Sequence, residues 1–252
     1  MEEIIQFDKH LLLMLNGSES VFLDFVVLTL TKAATWIPLY VSLFYMLVVL
    51  CRGKWRNILL ILAGAGLCVL LAGTVDDSIV KPLVARWRPT HDPQIGHLVD
   101  VVNNYRGGKY GFFSAHASNT FSIALYFCLL VRHRWLQFGL VSYSLVNCWT
   151  RLYLGVHYPG DILVGLLWGT VVALGVYALV RYINNTHLQP SPLATRIPYL
   201  VPRPSPLASR TSSPFTFSPA SFHPITVVLT VLVLTFAYAL VRAFIFASLI
   251  QY

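Results

Sequence analysis

Residues 162–180 read ILVGLLWGTVVALGVYALV, a run of nineteen residues without one charged side chain. A helix that crosses a bilayer needs about 20 mostly apolar residues, so this run predicts a membrane-spanning helix. The whole chain of 252 residues has the same character, with 56% apolar residues, 11% charged residues and a mean hydropathy of +0.67. Soluble domains carry about 25% charged residues. The composition therefore excludes a disordered chain, a coiled coil and a nucleic-acid-binding module, and it predicts an all-α membrane bundle.

Five further apolar segments bring the expected number of membrane-spanning helices to about six. They are residues 36–50, 58–75, 116–131, 136–149 and 225–241. Residues 1–19 carry acids where a signal peptide needs cations, which favours an N-terminal interfacial helix lying on the membrane surface. The four cysteines stand singly, mostly within apolar runs, so they indicate neither a disulfide framework nor a metal site.

The basic residues predict the orientation, because basic loops face the cytoplasm. Under the six-span count, the basic segments at 52–56, 132–134 and 181–210 all fall on one side. The opposite side then holds residues 74–114 and 150–161, which contain nearly all the remaining polar side chains. A loop as long as the first of these is expected to have a function.

Three regions follow from this pattern. Residues 1–181 form the membrane core, and residues 225–252 form an additional C-terminal helix. Between them, residues 182–224 are rich in proline and serine and hold nine of the 14 prolines, which predicts a disordered or extended cytoplasmic linker.

The first candidate motif is KPLVARWRP at residues 81–89. Lys81 and Arg88 are seven residues apart, which on a helix is two turns and one face. Two cations on one face at the membrane boundary suit an anion with several oxygens. Cationic side chains that reach from a helix end to the interface are the alternative interpretation.

The second candidate motif, FFSAH at residues 112–116, leads directly into an apolar segment. Ser114 is placed to cap the helix, which alone could explain it. A helix N-terminus also binds phosphate through its free N–H groups, and His116 would then stand beside that phosphate.

The third candidate motif is TRLYLGVHYPGD at residues 150–161. His157 and Asp161 are one helical turn apart, so the carboxylate could hold one imidazole nitrogen and leave the other free to attack. Arg151 adds a planar guanidinium that matches phosphate oxygens. Asp161 could instead be only a helix cap. All three motifs fall on one membrane face, and together they supply the groups that phosphoryl transfer needs.

These motifs resemble the type 2 phosphatidic acid phosphatase family, which also includes bacterial acid phosphatases and vanadium haloperoxidases. Its first box, Lys, six residues, Arg-Pro, matches Lys81, Arg88 and Pro89. Its second box, Pro-Ser-Gly-His, keeps Ser114 and His116 but has Phe113 and Ala115 at the other positions. Its third box, Ser-Arg, five residues, His, three residues, Asp, has Thr150 first and keeps Arg151, His157 and Asp161.

The resemblance implies a mechanism. His157 would attack phosphorus to form a phosphohistidine, Asp161 would orient and stabilise it, and His116 would protonate the leaving group and then activate water. Lys81, Arg88, Ser114 and Arg151 would bind the phosphate oxygens. It implies no metal or other cofactor. The composition excludes a nucleic acid partner, and the sequence shows no sign of an obligatory protein partner. The change from Gly to Ala at position 115 predicts a shifted pocket.

The expected protein is a bacterial inner-membrane lipid phosphatase with its active site facing the periplasm. Undecaprenyl diphosphate and lipid A are the leading candidate substrates, followed by phosphatidylglycerol phosphate or phosphatidic acid. A lipid phosphotransferase with the same intermediate and a non-catalytic transporter or scaffold of the same fold are the alternatives. The polar residues of the outer loop, residues 74–114, such as Asp92 and Asp100, are expected on a solvated surface, and Asp77 is expected to pair with Lys81.

Overall fold

The computed structural model describes residues 2–187 and 222–250, which form helices and connecting loops and contain no strand. The α-helices are α1 (Glu2–Leu15), α2 (Val21–Leu30), α3 (Ile37–Leu50), α4 (Trp55–Val75), α5 (Lys81–Val84), α6 (Ala115–Val131), α7 (Arg134–Tyr153), α8 (Pro159–His187) and α9 (Phe222–Ile250). Shorter 3₁₀ segments lie at Ala33–Trp36, Pro89–His91 and Val102–Asn104, and a π-helical turn lies at Asp76–Val80.

Four helical stretches of the described chain are long and apolar enough to cross a membrane. They are Ala33–Leu50, Trp55–Val84, Pro159–Asn185 and His223–Leu249. Each of the six apolar segments found in the sequence lies within a helix, which confirms the all-α membrane bundle. α6 is apolar but has 17 residues and α7 is more polar, so their crossing of the membrane stays a prediction.

A short apolar helix, α2, precedes the first spanning stretch and was not expected from the sequence. The Ser20 Oγ accepts a hydrogen bond from the Leu23 N–H and caps its start. Where α2 ends, the Trp36 Nε1 donates to the Leu30 carbonyl at 2.8 Å and the Thr35 hydroxyl donates to the Thr29 carbonyl at 2.6 Å. These bonds satisfy carbonyls that a broken helix would leave without partners.

Helices α8 and α9 extend into residues 182–224, the segment predicted to be a linker. Residues 182–187 continue α8, and residues 222–224 belong to α9. The remainder of the linker, residues 188–221, lies outside the described residues, so its conformation and its cytoplasmic location stay predictions.

Two glycines allow α8 to pack closely on α6. A Cβ atom at Gly165 would lie 2.8 Å from the Ser114 carbonyl oxygen, and one at Gly169 would lie 2.8 Å from the Ser118 carbonyl oxygen. Small residues four apart are typical of closely packed membrane helices. The close approach brings the N-terminus of α6 against the first turn of α8, where the second and third motifs lie.

Candidate active site

The loop after α5 brings Arg88 into the site by a route that the helical spacing did not predict. The helix that carries Lys81 ends at Val84, Ala85 has a left-handed φ of 48°, and Arg88 is extended. The prediction that Lys81 and Arg88 share one helix face is therefore wrong. Instead, the chain turns back on itself: the Arg88 N–H donates to the Lys109 carbonyl at 3.0 Å.

Arg88 contacts the imidazole of His157 directly. The Arg88 Nη1 lies 3.2 Å from the His157 Nε2 and 3.3 Å from the Val156 carbonyl oxygen. A guanidinium can only donate, so Nε2 is the acceptor and carries a lone pair. Burial, together with the positive charges of Arg88, Arg151 and Lys81, holds the pKa of His157 well below its usual range. His157 is therefore a neutral imidazole with its Nε2 lone pair facing the cations.

Asp161 is completely buried and is held by groups other than His157. Its Oδ1 accepts a hydrogen bond from the Arg86 Nη1 at 2.7 Å, and its Oδ2 accepts one from the Tyr158 N–H at 2.9 Å. The His157 Nδ1 lies 3.6 Å from Oδ2, which is beyond hydrogen-bond distance. The two residues predicted to form a dyad are thus adjacent, but the direct hydrogen bond is not made.

Arg86 is the main site residue that the sequence interpretation missed. Its Nη2 contacts the Asp8 Oδ2 at 2.7 Å, and its guanidinium lies 4.2 Å from the centre of the Tyr158 ring. The Asp8 Oδ1 also accepts a hydrogen bond from the Gly160 N–H at 2.8 Å. Asp8, on α1, therefore holds both Arg86 and the backbone next to Asp161. The position of Arg86 inside the first box was the available signal, whereas Asp8 had none.

Arg151 lies at the centre of the site, and two of its donor nitrogens have no hydrogen-bond partner in the described part of the chain. Its side chain is 1% exposed, and its Nε and Nη2 have no hydrogen-bond partner among the described residues. Its guanidinium lies 5.3 Å from the centre of the Tyr105 ring. A buried donor without a partner is costly, and a guanidinium fork fits oxygens arranged as in phosphate. The site therefore holds buried N–H groups that an oxyanion would satisfy.

The remaining predicted residues surround this guanidinium. Ser114 is buried and caps α6, its Oγ accepting from the Ala117 N–H at 3.4 Å. His116 stands exposed in the first turn of α6, where it interacts electrostatically with Arg151, His157, Arg88 and Lys81. Lys81 forms ion pairs with Asp76 and Asp77, as predicted for Asp77. The structure thus brings together all seven predicted site residues. Their catalytic and binding roles stay predictions.

The outer loop contacts α1, and the expectation of a solvated surface is met by Asp100, which is exposed, but not by Asp92, which is half-buried. The Asp92 carboxylate contacts the Lys9 ammonium at 2.8 Å and accepts a hydrogen bond from the Tyr158 hydroxyl at 2.7 Å. Burial raises the pKa of Asp92, but hydrogen bonds from Lys9, Tyr158 and the Gln94 N–H, together with the charge of Lys9, outweigh it and lower the pKa overall. The Asp100 N–H donates to the Asn16 side chain at 2.7 Å. The loop and α1 therefore form one wall around the site.

α1 presents a different face away from the protein. Ile4, Phe7 and Met14 are exposed and lie at helical spacing, whereas Asp8, Lys9 and Leu12 face the bundle. This arrangement suits the predicted interfacial helix, whose place on a membrane surface stays a prediction. Across the described chain, no group of three or more His, Cys, Asp or Glu side chains is arranged to hold a metal ion.

Comparison with known proteins finds one family and several named relatives. The family model described as "PAP2 superfamily" matches residues 55–185. The lipid A 4'-phosphatase of Bacteroides thetaiotaomicron is 38% identical over 67% of this chain and 75% of its own. That of Porphyromonas gingivalis is 31% identical over 75% of this chain and 79% of its own. The decaprenylphosphoryl-5-phosphoribose phosphatase of Mycobacterium tuberculosis is 38% identical over 48% of this chain and 58% of its own. No solved structure matches the chain significantly.

Proposed function

Because the chain belongs to the PAP2 superfamily and is a membrane-bound phosphatase of lipids, we propose that it removes the 4′-phosphate of lipid A at the periplasmic face of the inner membrane. Lipid A is preferred to undecaprenyl diphosphate because the two relatives that cover two thirds or more of this chain are both named lipid A 4'-phosphatases. Phosphatidylglycerol phosphate and phosphatidic acid have no comparable support.

The buried guanidinium of Arg151 is the observation that carries the proposal. Two of its donor nitrogens have no partner among the described residues, and Arg88 and the neutral His157 interact with it electrostatically. A protein that buries cations in this way needs an anion to compensate them. A phosphate monoester supplies the required oxygens, and its phosphorus would then lie within reach of the imidazole.

The chemistry proceeds in two displacements. The His157 Nε2 attacks phosphorus, and a nitrogen–phosphorus bond forms as the ester oxygen–phosphorus bond breaks. His116 donates a proton to the leaving sugar oxygen. His116 then accepts a proton from water while the water oxygen attacks phosphorus, which breaks the nitrogen–phosphorus bond and restores neutral His157.

The surrounding groups stabilise the charges that develop. Arg88 is 3.2 Å from the nucleophilic nitrogen, so it can pass its donor from Nε2 to a phosphate oxygen as the substrate arrives. Asp161, 3.6 Å from Nδ1, favours the positive imidazole of the intermediate. Its own orientation is fixed by Arg86 and by the Tyr158 N–H.

Phosphate release from defined lipids tests the substrate. We expect the purified protein to remove one phosphate from lipid A, and mass spectrometry to place the loss at the 4′ position. The His157→Ala variant is expected to be inactive, while His97→Ala serves as the control because His97 is exposed in the same outer loop. Faster release from undecaprenyl diphosphate, phosphatidylglycerol phosphate or phosphatidic acid would contradict the assignment to lipid A.

Cysteine labelling tests the periplasmic side. All four native cysteines are buried, so an impermeant maleimide should give little background. Asn103 and Lys54 are exposed, the first in the outer loop and the second between α3 and α4. Asn103→Cys is expected to react from outside the cell membrane and Lys54→Cys only after the membrane is opened. The reverse result would place the site in the cytoplasm.

A further inference from the structure

A cavity of about 470 Å³ lies outside the residues matched to the family, between the break that follows α2 and helix α9. Two cations, Lys32 and Arg242, are among its lining residues, and none of the lining residues is acidic. Pro38, Val231 and Leu234 form an apolar part of the wall. The site described above uses none of these residues.

The two cations have no counter-charge within the protein as far as the chain is described. Neither Lys32 nor Arg242 has a carboxylate within 4 Å or a side-chain hydrogen bond among residues 2–187 and 222–250. The Arg242 guanidinium lies 5.5 Å from the centre of the Phe246 ring, and Phe246 stacks on Phe25 at 5.2 Å. This stacking orients Arg242 but leaves its positive charge uncompensated.

Both cations lie toward the same end of the spanning helices. Lys32 immediately precedes the spanning stretch Ala33–Leu50. Arg242 lies inside the last spanning stretch, 19 residues after its start at His223 and seven residues before its end at Leu249.

This end of the bundle is also the end that carries the active site. Thr31, next to Lys32, has its hydroxyl 3.3 Å from the hydroxyl of Thr150, the residue before Arg151. The cations therefore lie toward the face that we assign to the periplasm, whereas basic residues are normally enriched on the opposite face.

We propose that this cavity is a binding site for an anionic glycerophospholipid of the surrounding membrane. Lys32 and Arg242 bind the lipid phosphate, and one acyl chain lies against Pro38, Val231 and Leu234. A charge this close to the hydrocarbon needs a partner, and phosphate at the headgroup level is the counter-ion that a bilayer supplies. The bound lipid joins the α2–α3 break to α9, and it is separate from the lipid that undergoes hydrolysis.

Native mass spectrometry of the delipidated full-length protein tests the site, with phosphatidylglycerol as the probe. We expect one lipid to bind more tightly than the rest, and the double variant Lys32→Gln/Arg242→Gln to weaken that binding by about tenfold or more, since hydrogen bonds to a charged phosphate are lost. Lys54→Gln/Arg56→Gln removes the same charge at the opposite end and should leave the first binding event unchanged.

Two further arms separate a specific cavity from general attraction. Leu234→Trp fills the apolar part while keeping both cations, and it is expected to weaken binding as well; this variant decides the matter if the double variant does not fold. Diacylglycerol, which lacks phosphate, should not bind with comparable affinity, and inorganic phosphate should not displace the phospholipid. Equal affinity in the wild type and the charge variant, or in the wild type and Leu234→Trp, would overturn the proposal.

Discussion

Asp8 on α1 gives the most specific prediction about the site, because it is far from the family motifs in sequence yet contacts them in the structure. Its Oδ2 lies 2.7 Å from the Arg86 Nη2, and its Oδ1 lies 2.8 Å from the Gly160 nitrogen. Arg86 in turn holds Asp161. The substitution Asp8→Asn keeps the shape of the side chain and removes its charge, so it weakens the contact with Arg86 without removing α1.

The expected magnitude follows from the geometry. A hydrogen bond that involves a charged group contributes about 1.5–3 kcal/mol. The side chains of Arg86 and Asp8 are 24% and 14% exposed, so solvent reduces this contribution to about 1–2 kcal/mol. At 1.36 kcal/mol for each tenfold change in rate, kcat should fall by roughly 5- to 30-fold. KM should change little, because Asp8 does not belong to the phosphate-binding group.

Steady-state kinetics with lipid A in detergent micelles provides the assay. Lys9→Gln is the matched control, since Lys9 binds the same helix to Asp92 at 2.8 Å but does not contact Arg86. We expect Asp8→Asn to lower kcat much more than Lys9→Gln does. A kcat within about twofold of the wild type for Asp8→Asn, or an equal loss in both variants, would refute the positioning role.

Three other predictions concern the pKa of the nucleophile His157, the packing of α8 on α6 and the requirement for a metal ion. Burial and the cations Arg88, Arg151 and Lys81 lower the pKa of His157. Arg88→Gln should therefore raise that pKa and move the acid limb of the kcat/KM profile to higher pH. A pH profile with an unchanged acid limb would contradict this prediction. Gly169→Leu should destabilise the fold by about 1–3 kcal/mol, because a Cβ atom at this position meets the Ser118 carbonyl. Gly175→Leu is the control, since it faces open space and should leave the thermal midpoint nearly unchanged. Equal thermal midpoints for the two variants would contradict close packing of α8 on α6 at Gly169. Vanadate should inhibit phosphate release and EDTA should not, and strong inhibition by EDTA would contradict a metal-free mechanism.

The helical bundle could be predicted from the sequence because long runs of apolar, uncharged residues form few structures other than membrane helices. The break between α2 and α3 was not, since it depends on bonds from Trp36 and Thr35 to the end of α2. The polar composition of residues 182–187 led to the prediction that the linker begins at residue 182, but this composition does not prevent α8 from continuing to His187.

The sequence was sufficient to predict which motif residues form the site, but not how they are arranged in space. Fixed spacings within the motifs identified Arg151, His157 and Asp161, because those residues are close in sequence. The positions of Lys81 and Arg88 depend on a π-helical turn and on the left-handed Ala85, which spacing alone does not reveal. The contact between Asp8 and Arg86 joins residues 78 positions apart, and one chain gives no pattern for such a pair.

Trapping the covalent intermediate tests the central claim most directly. Lipid A labelled with radioactive phosphate at the 4′ position would be mixed with the protein and quenched in alkali within milliseconds, because phosphohistidine survives alkali and is lost in acid. We predict that the label lies on the peptide that contains His157 and that it is absent from His157→Ala, while His97→Ala retains it. Rapid hydrolysis with no labelled peptide, or turnover by His157→Ala at near the wild-type rate, would contradict the assignment of His157 as the nucleophile.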